Sequence, residues 1–166
     1  MDVFEAIKKR RSVREYTGKR IPRDLLERLL KAARDAPSAK NLQPWRLIVV
    51  TDRKLLEALV PVCHNQGFIA DSGALLVGIT EDEKWSKIDL AIALDHVSLA
   101  AAALGLGTCW IGAFHGNEVR KMLDIPEEFH VTMCMTVGYP ADKGQSPTKK
   151  SIEEVVHLEH YGKGWH

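Results

Sequence analysis

Several features that would assign a protein class at once are scarce in this 166-residue sequence. Its only cysteines, Cys63, Cys109 and Cys134, lie far apart, and no CxxC pair exists. This odd number of isolated thiols indicates reduced, buried side chains in a cytoplasmic protein and no disulfide framework. The formal net charge is only +1, which argues against a general nucleic-acid or membrane-surface binder because such proteins carry a strong basic excess.

Long apolar runs and metal motifs are also lacking. The most apolar stretch, residues 88–106, contains two aspartates and a histidine. It is therefore too polar for an unaided membrane span and is expected to be a buried helix. The sequence does not open with a signal-peptide pattern. His157 and His160 are three apart, but no set of four ligands has zinc spacing, so no metal site is predicted.

What is present is an alternation of helical and strand patterns over a length that suits one domain, residues 1–166. Helices are predicted over residues 2–11, from Pro22 to before Pro37, after Asp52, over 88–104 and over 117–123; strands are predicted over residues 47–50, 74–80, 108–113 and 130–137. Residues 63–72 give no clear pattern. These elements predict an α+β sandwich with a four- or five-stranded mixed sheet flanked by helices.

The predicted helix over residues 88–104 is apolar nearly all round and carries four consecutive alanines at 100–103. Small residues let another helix approach closely. A helix without a solvent face in so short a chain indicates the centre of the domain, a dimer interface, or both. A large charged residue at Ala101 is expected to damage that interface.

Residues 10–14 form a basic segment, Arg-Arg-Ser-Val-Arg. A guanidinium group matches phosphate oxygens two at a time, and the Ser12 hydroxyl adds a further donor. The segment therefore suits an anion site, although a solvated basic surface is the simpler reading of the five residues alone. Lys149 and Lys150 could complete a phosphate site with Arg10, or could be solvated.

Two further stretches have the composition of binding loops. Residues 36–45 lie between two prolines and supply Ser38, Asn41 and Gln43, in a stiff polar loop before a predicted strand. Residues 105–107 read Gly-Leu-Gly, but they follow a helix, and no third glycine completes a dinucleotide fingerprint, so a Rossmann fold is rejected. Cys109 is interpreted as a small core residue.

Taken together, these motifs closely resemble the FMN-dependent nitroreductase family. The resemblance rests on residues 10–14, on the loop over 36–45, on Gly-Leu-Gly-Thr-Cys-Trp-Ile-Gly over 105–112, and on the tail over 149–157. The order and spacing match over nearly the whole chain. The resemblance implies a nitroreductase-like α/β sandwich in an intertwined homodimer, with FMN at the subunit interface.

The resemblance also implies a role for each matched residue. Arg10, Arg11 and Ser12 would hold the FMN phosphate and ribityl chain, with Lys149 and Lys150 at the phosphate. Arg14 would lie near the pyrimidine edge of the flavin, with Asn65 and Gln66 on the same side. Pro37, Ser38 and Asn41 would reach the ring from the partner subunit, and Ile111 and Gly112 would pack behind it, with the Gly112 amide near N5.

The activity implied by the resemblance is an FMN-dependent NAD(P)H oxidoreductase. Hydride would pass from NADH or NADPH through flavin N5 to a small acceptor such as a nitroaromatic or a quinone, in ping-pong fashion, with the chemistry carried by the cofactor. The alternative is a non-catalytic FMN carrier or sensor. The segment between Ile125 and Val131 is short for the family, and Phe68 stands where some members have a lysine.

Overall fold

The computed structural model describes residues 1–144 and 146–165. Seven helices and four strands are formed there: α1 (Val3–Lys9), α2 (Arg23–Arg34), β1 (Trp45–Val50), α3 (Arg53–Val62), α4 (Phe68–Asp71), β2 (Ala74–Thr80), α5 (Ser86–Ala103), β3 (Gly107–Ile111), α6 (Gly116–Met122), β4 (His130–Gly138) and α7 (Ile152–Val155). A short 3₁₀ turn, Ala39–Asn41, lies between α2 and β1. The predicted α+β class is confirmed, and the sheet has four strands, within the predicted four or five.

Local capping fixes where several helices begin. The Asp2 carboxylate accepts a hydrogen bond from the Glu5 amide at 2.8 Å, and the Glu5 carboxylate accepts one from the Asp2 amide, which completes a capping box at α1. Asp52 likewise accepts from the Leu55 amide at 2.9 Å and begins α3. α4 lies within residues 63–72, for which no element was predicted.

The strands form one sheet in the order β1-β2-β4-β3, and each neighbouring pair is antiparallel. The expectation of a mixed sheet is therefore wrong for these strands. β2 and β3 do run in the same direction, as a helical crossover through α5 requires, but β4 lies between them and pairs antiparallel with both. The parallel pairing that does occur is an isolated bridge between Ser12 and Thr108.

Two apolar clusters cover the two faces of this sheet. On one face, residues such as Leu76 and Met135 pack with α2 and α5. On the other face, residues such as Leu75 and Val77 pack with α3, α4 and α6. Because both faces are covered, every residue of β2 is buried, which explains its uninterrupted apolar sequence.

α5 packs one face against α2, α1 and the sheet. Ala101 is fully buried on that face, inside the core of its own chain. The opposite face carries Ile88, which is 53% exposed, and the half-buried Ile92 and Leu99. The expectation that Ala101 marks an interface between subunits is therefore wrong. Of the helices in the described residues, none combines the length and the apolar character that a bilayer span requires.

Candidate functional site

The basic segment, residues 10–14, leaves α1 and runs beside β3. The Val13 amide donates to the Thr108 carbonyl at 2.8 Å, and Ser12 forms the parallel bridge with Thr108. Gly107 permits this close approach, since a Cβ there would lie 2.8 Å from the Cβ of Val13. The basic segment and β3 therefore advance in the same direction, towards Gly112.

Arg10 and Arg14 form no ion pair among residues 1–144 and 146–165. Arg10 lines a cavity of about 180 Å³ with Lys9, Arg11 and residues 105–108. Arg14 is exposed to solvent. Neither guanidinium group is therefore held by a carboxylate among the described residues, and their role in an anion site stays a prediction.

Arg11 has a different environment, because its guanidinium group is bonded to Asp142. Nη1 donates to Oδ2 at 2.9 Å, and Nη2 donates to Oδ1 at 2.6 Å and to the Asp142 carbonyl at 3.0 Å. The bonds from Arg11 lower the pKa of the Asp142 carboxyl below its ordinary value. The sequence expectation placed Arg11 on a phosphate, and it did not identify Asp142.

β3 ends at Ile111, and Gly112 follows it next to the segment that contains Asn65 and Gln66. The Gln66 side-chain amide donates to the Cys63 carbonyl at 3.0 Å and to the Ala113 carbonyl at 3.1 Å. Asn65 adopts a left-handed backbone conformation, with φ of 57°. Gln66 thus ties the turn after α3 to the residue that follows Gly112. Ile111 is buried, whereas Gly112 is exposed.

The loop that carries Pro37, Ser38 and Asn41 is held against α5. The Ala39 amide donates to Asp89 Oδ1 at 3.1 Å, and Ser38 Oγ accepts from the Gln43 amide at 3.2 Å. No hydrogen bond described for residues 1–144 and 146–165 joins this loop to residues 10–14 or 108–113. No described hydrogen bond within the chain therefore holds this loop beside the basic segment.

Asp89 was another residue that sequence reasoning did not single out for the site. Its side chain is buried, and Oδ2 has no hydrogen-bond partner in the part of the chain that the structure describes. Its position in the first turn of a mostly apolar helix is the sequence signal that could have identified it.

Lys149 and Lys150 are exposed in the tail that follows β4. The tail returns to the basic segment at Ser146, whose Oγ donates to the carbonyls of Lys8 at 3.2 Å and Arg10 at 3.3 Å. No described hydrogen bond or ion pair links either lysine to Arg10.

Three cysteine thiols are buried, in agreement with the prediction from the sequence. Burial raises the pKa of the Cys63 thiol to about 11. Burial also raises the pKa of Cys109, against the opposing effects of the Arg14 charge and a hydrogen bond with Ser12. Cys109 thus lies directly behind the basic segment as a protonated core residue.

Comparison with known proteins assigns the family. The sequence model of the nitroreductase family matches residues 7–83 and 78–139. This chain belongs to the nitroreductase family. A relative from Methanothermobacter thermautotrophicus, described provisionally as an NADH dehydrogenase/NAD(P)H nitroreductase, is 34% identical over 171 residues, covering 96% of this chain and 87% of the relative.

Solved structures give the same assignment for the fold. An FMN-dependent nitroreductase from Clostridium difficile superimposes with a TM-score of 0.87 at 29% identity, covering 95% of this chain and 99% of that one. A nitroreductase family protein from Clostridium novyi gives a TM-score of 0.81 at 30% identity, covering 99% and 97%. The family resemblance noted in the sequence and the nitroreductase-like fold are both confirmed.

Proposed function

We propose that this nitroreductase-family chain is an FMN-dependent oxidoreductase that takes electrons from NADH or NADPH and delivers them to a small acceptor. The names of its relatives support the proposal: besides the FMN-dependent enzyme and the relative named for NADH and NAD(P)H, a Staphylococcus aureus protein named NADPH-dependent oxidoreductase is 26% identical over 96% of this chain. Nitroaromatics and quinones are suitable test acceptors.

The observation that carries the proposal is the convergence of three distant sequence motifs along β3. Residues 10–14 pair with Thr108 at the start of the strand, and Gln66 binds the Ala113 carbonyl just beyond its end. Gly112 lies four residues after Thr108, which corresponds to a rise of about 13 Å along a strand. A ligand with a phosphate at one end and a flat ring at the other suits this layout.

The residues proposed to hold FMN have side chains that suit its phosphate and its ring. Arg10, Ser12, Lys149 and Lys150 would hold the phosphate, because cationic and hydroxyl donors satisfy its oxygens best. Arg14, two residues beyond Ser12 on the basic segment, would favour the reduced ring, which carries negative charge. Bound FMN would supply the hydride chemistry, and the protein would supply binding, orientation and electrostatics.

Gly112 provides a test of fit within the structure itself. A Cβ at this position would meet only Met133 Sδ and Cε, both at 4.0 Å, and its φ lies outside the left-handed region. The fold of this chain therefore does not need a glycine there. A bare, exposed backbone at Gly112, just beyond β3, is what close approach of a flat ring requires.

We also propose that two copies of the chain form a homodimer that completes the site with Pro37, Ser38 and Asn41 of the other subunit. Large exposed apolar side chains support a subunit contact. They lie on α1, in the loop after the 3₁₀ turn, directly before α5 and on α5: Val3, Phe4, Ile7, Leu42, Trp85 and Ile88. Apolar surface of this kind is typical of a buried interface.

The test is an absorption spectrum of the purified protein after reconstitution with FMN, followed by anaerobic addition of NADH or NADPH. Flavin bands that bleach with the nicotinamide and return on adding a nitroaromatic or a quinone would support the proposal. Bands that never bleach would favour the alternative of a non-catalytic FMN carrier. A protein that binds no FMN would refute both.

A further inference from the structure

The bidentate pair between Arg11 and Asp142 is the strongest polar contact near the basic segment. It has three hydrogen bonds, and the Arg11 side chain is only 14% exposed. Gly144 closes over the pair, since a Cβ there would lie 2.7 Å from Asp142 Oδ2 and 2.9 Å from Arg11 Nη1. Both terminal nitrogens of Arg11 are already bonded to Asp142, so Arg11 is poorly placed to bind a phosphate with both of them.

The charge of Asp142 is unfavourable beside a phosphate site. Through simple Coulomb interaction, a carboxylate bonded to Arg11 would weaken the binding of any anion at the basic segment. A role for Asp142 in anion binding must therefore come from what it holds in place.

What Asp142 holds is the strap, which we define as residues 140–144. The strap runs back along the start of the chain through a series of contacts. Pro140 bridges Tyr16, the Ala141 amide donates to the Glu15 carbonyl at 2.9 Å, and Asp142 binds Arg11. Ser146 then binds the carbonyl oxygens of Lys8 and Arg10.

This path leads the chain towards Arg10 just before the two lysines. Lys149 follows Ser146 by three residues, which span at most about 11 Å when fully extended. Because Ser146 is bonded to the Arg10 carbonyl, this span limits how far Lys149 and Lys150 can lie from Arg10. The anchored strap ends two residues before Ser146 and so helps to keep Ser146 in place. If the strap were released, Lys149 and Lys150 would move with the tail. Binding of an anion would then have to order them again, at a cost in conformational entropy.

We propose that Asp142 is a positioning residue for the phosphate end of the site. It pairs with Arg11 to anchor the strap, so that Lys149 and Lys150 are held near Arg10. Arg11 acts through this anchor and not as a phosphate ligand. The inference rests on the proposed function, because it takes the phosphate of FMN as the anion.

The experiment compares FMN with riboflavin, which lacks the phosphate, in titrations followed by quenching of flavin fluorescence. Asp142→Asn is expected to weaken FMN binding at least fivefold and to leave riboflavin binding unchanged. Arg11→Gln is expected to have the same effect, and the double variant should be no worse than either single one. In a Lys149→Gln/Lys150→Gln background, Asp142→Asn should cost nothing further.

Asp35→Asn is the matched control, since Asp35 pairs with Arg34 at 2.8 Å on the surface. It removes the same charge elsewhere and should leave FMN binding unchanged. FMN binding that is unaffected or tightened by Asp142→Asn would overturn the proposal and would show a purely electrostatic effect. A full additional loss from Arg11→Gln in the Asp142→Asn background would make Arg11 a phosphate ligand and would overturn it too.

Limited trypsin digestion of the FMN-free protein tests the anchor without any ligand. Lys143 lies in the strap and is exposed, so Asp142→Asn should speed cleavage after Lys143 relative to wild type and Asp35→Asn. Unchanged cleavage would refute the anchor. If the wild-type protein bound no FMN, the proposed function and the phosphate role would fail, while the cleavage result would still decide whether the pair anchors the strap.

Discussion

Replacing Gly112 with alanine should change the stability of the FMN-free protein and its affinity for FMN in opposite directions. The added methyl group meets nothing closer than Met133 at 4.0 Å. Alanine also restricts the unfolded chain, so the variant is expected to be more stable by about 0.4–1 kcal/mol. For a chain of this length, that gain raises the melting temperature of the FMN-free protein by roughly 1–4 °C.

The same methyl group should interfere with FMN. Loss of one neutral hydrogen bond from the Gly112 amide costs about 0.5–1.5 kcal/mol. Overpacking of a well-fitted contact adds about 1–3 kcal/mol. Together these terms predict FMN binding that is weaker by roughly tenfold at least, since about 1.4 kcal/mol corresponds to a factor of ten.

The assays are thermal unfolding without FMN and a fluorescence titration with FMN. Gly107→Ala is the contrasting variant, because its methyl group would lie 2.8 Å from Val13 Cβ and 3.0 Å from Pro140 Cγ. That variant should lower the melting temperature. If Gly112→Ala kept wild-type affinity for FMN, Gly112 would not lie against the flavin, and if it unfolded, the reasoning from packing would be wrong.

Three other predictions follow from the site, the interface and the thiols. Arg10→Ala should weaken FMN binding by about 1.5–3 kcal/mol, as expected for a charged hydrogen bond. The control Arg23→Ala, which breaks an exposed pair with Glu27, should leave FMN binding unchanged. If both variants bound FMN with equal affinity, Arg10 would not belong to the site. Ile88→Glu should give a folded monomer, as judged by light scattering and circular dichroism. Ala101→Glu should not fold, because Ala101 is buried in its own chain. If the Ile88→Glu protein were still a dimer, the subunit interface would not include Ile88. Burial raises the pKa of Cys63 from 9.0 to about 11, so the unfolded state loses this proton at a lower pH than the folded state. The free energy of unfolding should therefore fall between about pH 9 and 11, with a slope approaching 1.4 kcal/mol per pH unit from this thiol. The slope should be smaller in Cys63→Ala, and an unchanged slope would contradict the assignment.

Much of the secondary structure could be read from local sequence. β2 was predicted over residues 74–80 and is formed there, because its apolar run is bounded by polar residues and buried on both sides. Asp2 and Asp52 indicated helix starts correctly, since capping depends on residues three apart. The matched motifs were also enough to indicate the family.

Other features depend on contacts that local pattern does not encode. α5 is apolar on nearly every side, so periodicity could not indicate which face enters the core, and only packing against α2 and the sheet placed Ala101 inside and Ile88 outside. The order of strands could not be read from the alternation of helices and strands, because the insertion of β4 between β2 and β3 is a long-range pairing.

The basic segment shows the division most clearly. The sequence by itself determined that three guanidinium groups and a serine lie within five residues, which is the composition of an anion site. Tertiary structure decided that these groups are not equivalent. Arg11 meets a carboxylate 131 residues away and is bonded to it, whereas Arg10 and Arg14 stay unpaired among the residues described. The physical reason is that a charge acts on whatever the fold brings within a few ångströms of it, however distant that group is along the chain.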